Sequence, residues 1–105
     1  ELSALSTTIG SAVYRITQEA MTNTRRHAVD ATAVSVRISI DPSHVRLTID
    51  DDGRRTQPRR LPSAGFGLIG MRERAEMLGG SCEAGPIGER GWRVDARIPL
   101  DSGRR

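Results

Sequence analysis

The sequence predicts an α+β fold, a two-layer sandwich in which helices cover one face of a mixed, mostly antiparallel sheet. Three observations point to it: a long segment with helical periodicity, several segments in which apolar and polar residues alternate, and a shorter helical segment that ends at two glycines. A chain of 105 residues can build one such core. Residues 1–105 are therefore interpreted as a single domain.

The first helix is predicted from Thr8 to about His27. Apolar and small side chains recur there at steps of three and four, which marks one face of an amphipathic helix. That face consists of Ile9, Val13, Ile16, Ala20 and Thr24. Ser6 or Thr7 can cap the helix, because a hydroxyl before the first turn accepts a hydrogen bond from a free backbone N–H.

A β-hairpin is predicted next. Residues 34–40 and 45–50 alternate between apolar and polar side chains, as strands with one buried face do. The break at Asp41-Pro42-Ser43 makes the two strands antiparallel neighbours. Between Gly53 and Ala64 the pattern is lost among Arg, Pro, Gln and Ser, which indicates a mobile loop.

The second half of the chain is predicted to hold one helix and two strands. The helix runs from about Leu68 to Leu78, and Gly79-Gly80 ends it. Its buried stripe consists of Leu68, Met71, Ala75 and Leu78. A short strand is expected near Ser81–Ala84, and a longer one alternates from Trp92 to Ile98.

Composition narrows the possible functions. The net charge of +3 comes from arginines that are scattered along a chain without any lysine. The chain has one residue each of Trp, Tyr and Phe, so few aromatic rings are available to stack on bases. Nucleic acid is therefore not an expected partner. No membrane span or signal peptide is visible, so no membrane contact is expected. The lone Cys82 excludes an internal disulfide, fits a cytoplasmic location, and is interpreted as a small buried residue.

Glu19, Asn23 and Arg26 follow one another at steps of four and three on the first helix. They therefore share an arc of about 60° beside the apolar stripe. A carboxylate, an amide oxygen and a guanidinium at that edge can serve as general base, Mg²⁺ ligand and phosphate contact. A polar helix flank with a hydrogen bond between residues four apart explains the same spacing.

Asp51 has the same strand parity as Val45, Leu47 and Ile49, so its carboxylate is predicted to face the core, whereas Asp50 faces outward. A buried carboxylate needs a donor, and an adenine amino group is a suitable one. The alternative is a solvated turn formed by residues 51–53 after the strand.

Residues 65–70, with the sequence Gly-Phe-Gly-Leu-Ile-Gly, form a glycine-rich entry to the second helix. Backbone amides at a helix N-terminus attract phosphate, and glycines allow phosphate to come close. A loop precedes them instead of a strand, so the dinucleotide-binding interpretation of GxGxxG is disfavoured. A phosphate site and a simple helix cap both remain open.

Taken together, these segments resemble the catalytic ATP-binding domain of sensor histidine kinases, within the superfamily that also contains gyrase B, mismatch-repair and heat-shock ATPases. Residues 14–28, Tyr-Arg-Ile-Thr-Gln-Glu-Ala-Met-Thr-Asn-Thr-Arg-Arg-His-Ala, are similar to the N-box of the subfamily that is paired with helix-turn-helix response regulators. Residues 68–74, Leu-Ile-Gly-Met-Arg-Glu-Arg, are also typical of it. The likeness covers nearly the whole chain and implies the histidine kinase ATPase fold.

The resemblance implies a role for individual residues. Glu19 would be the catalytic base, Asn23 the Mg²⁺ ligand and Arg26 a phosphate contact. Asp51 would bind adenine. The remaining nucleotide-binding positions would be Gly53, Gly65, Gly67 and Leu68, while Gly91 and the last strand through Pro99-Leu100 match the closing edge of the family domain. ATP and Mg²⁺ are the implied cofactors.

One departure from the family pattern is Arg55, which replaces the second glycine of the D-x-G-x-G box. A side chain there can restrict the backbone or crowd the adenine pocket, or it can turn outward to the triphosphate.

The resemblance also implies partners. Neither His27 nor His44 matches the family's phosphoacceptor, so the acceptor is expected on a dimerisation domain that this chain lacks. A response regulator would act through the intact kinase, which is expected to be a homodimer. An anti-sigma-type serine kinase or ATPase and a degenerate nucleotide-binding module are the alternative functions.

Overall fold

A computed structural model describes residues 6–55 and 68–100. This part of the chain contains two helices, α1 (Thr7–His27) and α2 (Leu68–Met77). Its strands are β1 (Ala28–Val29), β2 (Val34–Ile40), β3 (His44–Asp51), β4 (Arg54–Arg55), β5 (Ser81–Pro86) and β6 (Trp92–Pro99). Neither helix is long and apolar enough to cross a membrane.

The main sheet has four strands in the order β2-β3-β6-β5, and both helices pack on its apolar face. This arrangement confirms the α+β sandwich. All pairings between the described strands are antiparallel, so the parallel pair that a mixed sheet implies is not among them. The core lies between the inner faces of β3, β5 and β6 and the buried stripes of the two helices.

Helix α1 confirms the predicted start, stripe and cap. The Ser6 side chain accepts a hydrogen bond of 3.1 Å from the backbone N–H of Ile9, which satisfies one of the free donors of the first turn. All five predicted stripe residues are buried, and Ala12 and Asn23 join them. The last turn carries Arg25, Arg26 and His27, a favourable place for positive charge near the helix C-terminus.

The hairpin of β2 and β3 is also confirmed. In its turn, the Asp41 carboxylate accepts hydrogen bonds of 2.8 Å from the backbone N–H groups of Ser43 and His44. These bonds, that from Ser43 above all, hold the pKa of Asp41 below its ordinary value.

The prediction of a buried face is wrong for the start of β2, where Val34 and Val36 are 37% and 43% exposed. The reason is that β2 is an edge strand of the sheet, with β3 as its neighbour on one side.

The end of α2 follows the prediction closely. The backbone N–H of Gly80 donates to the carbonyl of Ala75 at 2.8 Å, and the N–H of Gly79 donates to that of Glu76 at 2.9 Å. Gly79 has a φ of 82°, which favours glycine because that residue lacks a Cβ. The pattern is a Schellman motif, and it stops the helix where the sequence predicted.

The structure departs from the predicted loop at residues 54 and 55, and it agrees with the prediction for the single cysteine. Arg54 and Arg55, predicted to lie in a loop, form β4 and pair with Val29 and Ala28 of β1. The rest of the predicted loop lies outside the described residues. Cys82 is buried, as predicted, and its burial raises the pKa of the thiol to about 11.

The outer face of the sheet carries cross-strand ion pairs. Arg93 binds the Asp50 carboxylate through two hydrogen bonds of 2.8 and 2.9 Å. Arg46 binds Asp95 in the same way at 3.0 and 2.9 Å. Paired charges therefore cover the face that the helices leave to solvent.

Candidate functional site

The candidate site lies where the second half of α1 approaches the end of β3. Asp51 is the last residue of β3, and only 6% of its surface is exposed. Its neighbour Asp50 points the opposite way and binds Arg93 on the outer face. The structure thus confirms the orientation that strand parity predicted for both carboxylates, and it contradicts the alternative of a solvated Asp51.

Two donors from the protein hold the Asp51 carboxylate. The hydroxyl of Thr24 donates to Oδ2 at 2.8 Å, and the backbone N–H of Gly53 donates to Oδ1 at 2.9 Å. These hydrogen bonds offset much of the free-energy cost of burying the carboxylate.

Gly53 lies in the tightest part of the site. A Cβ on Gly53 would lie 2.8 Å from Cβ of Ala28 and 2.9 Å from Cβ of Ala31. The carbonyl of Gly53 accepts a hydrogen bond of 2.9 Å from the N–H of Gly91, which joins this position to the segment before β6. Glycine is therefore required here because neighbouring chain segments leave no room for a side chain.

Glu19, Asn23 and Arg26 occupy one flank of α1 with graded exposure. Asn23 is 5% exposed, Glu19 is half-buried and Arg26 is exposed. The Glu19 carboxylate makes no hydrogen bond or ion pair with another residue in the described part of the chain. Asn23 precedes Thr24 directly, so one turn of α1 presents the buried amide beside the residue that holds Asp51.

The glycine-rich loop is only partly visible. Gly65 and Gly67 lie outside the described residues. Leu68 begins α2, is half-buried and packs against the core. The structure therefore brings α1 to Asp51 through Thr24, the neighbour of Asn23, and it places Leu68 at the start of the second helix.

Arg55 lies in β4, where its backbone pairs with Ala28. A strand is an extended conformation that any residue adopts, so the backbone at this position does not require glycine.

Two residues of the site were missed by sequence reasoning. Thr24 was assigned only to the buried stripe of α1, although a hydroxyl on such a stripe signals a buried polar partner. Asp52 accepts hydrogen bonds from the backbone N–H and the hydroxyl of Thr32, at 2.7 and 2.5 Å, and from the N–H of Ala33 at 3.2 Å. It ties the segment between β1 and β2 to the end of β3.

These bonds, with that from the Thr32 hydroxyl first, lower the pKa of Asp52 to about 2 from its ordinary value of 3.8. A carboxylate whose pKa is lower in the folded state than in the unfolded state stabilises the fold at any pH above its unfolded-state pKa. This stabilisation is lost as the pH falls through the folded-state pKa. We expect Asp52→Asn to lose less stability than the wild type between about pH 4 and pH 2. The measurement is the free energy of unfolding from pH 6 to pH 2.

The control for this titration is Glu89→Gln, which removes an exposed carboxylate without a hydrogen bond to the described residues. It should keep the wild-type dependence on pH. Equal slopes for wild type and Asp52→Asn would contradict the role of Asp52.

Comparison with known proteins identifies relatives of the chain. Residues 8–102 match the family described as histidine kinase-, DNA gyrase B- and HSP90-like ATPases. The sensor histidine kinase YxjM of Bacillus subtilis is 44% identical over 92 residues, which cover 88% of this chain and 22% of that protein. The sensor histidine kinase LiaS of the same organism is 31% identical over 97 residues, covering 92% and 27%. The chain spans about a quarter of the length of these relatives.

Solved structures agree on the fold. The histidine kinase domain of the blue-light activated histidine kinase from Erythrobacter litoralis EL346 superposes with a TM-score of 0.69 at 26% identity, covering 89% of this chain and 45% of that one. A second structure of that kinase gives a TM-score of 0.67 at 23% identity, covering 92% and 34%. Because the family match spans almost the whole chain, the chain belongs to the histidine kinase-, DNA gyrase B- and HSP90-like ATPases.

Proposed function

We propose that this domain binds ATP with Mg²⁺ and donates the γ-phosphoryl group to a histidine on a separate dimerisation domain of a sensor kinase. The observation that supports the proposal most is the buried Asp51 carboxylate, held by two donors beside the buried amide of Asn23. The sensor histidine kinases among the relatives support the choice of reaction. A homodimeric parent kinase, a response regulator that receives the phosphoryl group and a cytoplasmic location belong to the same proposal.

The adenine end of the nucleotide would bind at Asp51. The exocyclic amino group of adenine is a donor, and the carboxylate that Thr24 and Gly53 hold is an acceptor. Burial strengthens such a bond, because water competes less for both partners. A purine without a donor at that position would leave the carboxylate unmatched.

The phosphate end would bind along the flank of α1. Within the described residues no group of three or more His, Cys, Asp or Glu side chains could hold a metal ion alone. Mg²⁺ fits this site in another way, since it commonly takes one or two protein oxygens together with substrate phosphates and waters. The Asn23 amide oxygen would be the protein ligand, and the ion would neutralise charge on the phosphates when bound.

Arg26 is exposed on the same flank and would contact phosphate, and the backbone amides of Gly65 and Gly67 and that of Leu68 would add donors. In the transfer step the bond between the γ-phosphorus and its bridging oxygen breaks, a bond to an imidazole nitrogen forms, and ADP leaves. Glu19, half-buried on the same flank of α1, would orient the imidazole or take its proton. In this proposal the acceptor histidine belongs to the dimerisation domain, so His27 and His44 are expected to show little or no self-labelling.

The test is calorimetric titration of the 105-residue chain with ATP, with and without Mg²⁺. We expect binding that Mg²⁺ strengthens, and we expect Asn23→Ala to lose the effect of Mg²⁺ because the amide ligand is gone. Gln18→Ala is the matched control, since Gln18 carries the same amide on the exposed side of α1. Absence of binding at millimolar ATP would contradict the proposal and favour a degenerate module.

A further inference from the structure

The bond between Thr24 and Asp51 differs from the usual hydrogen bond of a helical threonine. Within a helix, a threonine hydroxyl commonly donates to the carbonyl four residues before it. Thr17 on α1 does so, with a distance of 2.8 Å from its hydroxyl to the carbonyl of Val13. Thr24 instead donates across the core to a carboxylate 27 residues away, also at 2.8 Å.

Both partners of this bond are buried, Thr24 with 9% and Asp51 with 6% of its surface exposed. A buried charge is held best when several donors fix it. Here the Gly53 N–H holds Oδ1 and the Thr24 hydroxyl holds Oδ2, so the plane of the carboxylate is defined at both oxygens. Without the hydroxyl, the bond from α1 to Oδ2 is lost, and rotation about the last side-chain torsion, which is broad for aspartate, becomes easier.

We infer that Thr24 is a positioning residue that holds Asp51 for purines with an amino group at C6, so that this threonine contributes to base selectivity. The inference rests on the proposed function, because it concerns the base that Asp51 would bind. An ionised carboxylate only accepts hydrogen bonds. A 6-amino purine offers a donor to that acceptor, whereas a 6-oxo purine offers an oxygen, and two facing acceptors are left unpaired.

The position of Thr24 also links the two ends of the nucleotide site. Thr24 follows Asn23, the proposed Mg²⁺ ligand, on the same turn of α1. A displacement of this turn would therefore move the proposed Mg²⁺ ligand and the residue that holds Asp51 together. The Thr24 hydroxyl joins α1 to the end of β3.

The experiment compares ATP with inosine triphosphate, which carries an oxygen where ATP carries the amino group. Dissociation constants are measured for wild type, Thr24→Val and Thr24→Ser. We expect Thr24→Val to weaken ATP about tenfold, the order of one hydrogen bond to a charged group, and to change inosine triphosphate by less than about twofold. Thr24→Ser keeps the hydroxyl and should stay within about threefold of wild type for both nucleotides.

The matched control is Thr17→Val, which removes a hydroxyl from the same helix but one that bonds only within it. It should leave the ratio between the two nucleotides unchanged. Thr24→Ala serves as a second hydroxyl-free variant if valine prevents folding, and circular dichroism checks each variant.

Several outcomes separate the hypotheses. Equal weakening of both nucleotides by Thr24→Val would overturn the inference, because a merely structural role predicts an unchanged ratio. An unchanged affinity for ATP would overturn it as well. If wild type binds ATP and only the selectivity experiment fails, the proposed function stands; if wild type binds neither nucleotide, both proposals fail.

Discussion

Asp51→Asn is expected to weaken ATP binding about a hundredfold, or about 2.7 kcal/mol. Asparagine has nearly the same shape, yet it loses the charge and replaces one acceptor oxygen with a donor nitrogen. That nitrogen cannot accept, so it would deprive of its acceptor either the Gly53 N–H at Oδ1 or the Thr24 hydroxyl at Oδ2, and it leaves fewer acceptor positions for the amino group of adenine. The measurement is calorimetric titration with ATP in the presence of Mg²⁺.

The chain offers a matched control one residue away. Asp50→Asn removes a carboxylate from the outer face of the sheet, where it binds Arg93. The affinity for ATP should stay within about twofold of wild type, because this ion pair lies on the face of the sheet away from Asp51 and α1. If both variants bind ATP equally well, Asp51 does not bind the base.

Gly53→Ala is expected to lower the free energy of unfolding by about 2–3 kcal/mol. The added methyl group would lie within 3.0 Å of the Cβ atoms of Ala28 and Ala31, so a chain segment has to move. The same movement displaces the Gly53 N–H from Asp51, which should also weaken ATP binding. Urea unfolding measures the first effect and titration with ATP the second.

Gly10→Ala is the control for this substitution. Gly10 lies within α1. A Cβ added there would have no atom within 4 Å other than its chain neighbours and the nearby backbone of its own helix. Alanine should therefore stabilise the helix by about 0.5–1 kcal/mol, the difference in helix propensity between the two residues. A Gly53→Ala variant as stable as wild type would show that the segment around Ala28 and Ala31 yields easily.

Much of the fold could be predicted because its signals are periodic. The apolar stripe of α1 and the alternation in β3 each extend over enough residues to define both element and orientation. The same alternation predicted that Asp51 faces inward, and the Gly79-Gly80 pair predicted the end of α2. These features depend on local sequence, which a single chain provides.

The features that were missed depend on contacts between distant segments. β1 and β4 have two residues each, too few for a pattern, and they form only because the end of α1 meets the chain after Gly53. The exposure of Val34 and Val36 depends on β2 being an edge strand, which alternation does not reveal. The roles of Glu19, Asn23 and Arg26 remain predictions, since position on a helix flank does not establish chemistry.

The partner of Asp51 in the sheet gives the site an optical property. Trp92 lies directly opposite Asp51 in the pairing of β3 with β6, and it is the only tryptophan of the chain. Side chains of directly opposed residues lie on the same face of a sheet, about 5 Å apart at Cβ. Its half-buried indole therefore senses the surroundings of the carboxylate, so intrinsic fluorescence offers a label-free reporter of changes around Asp51.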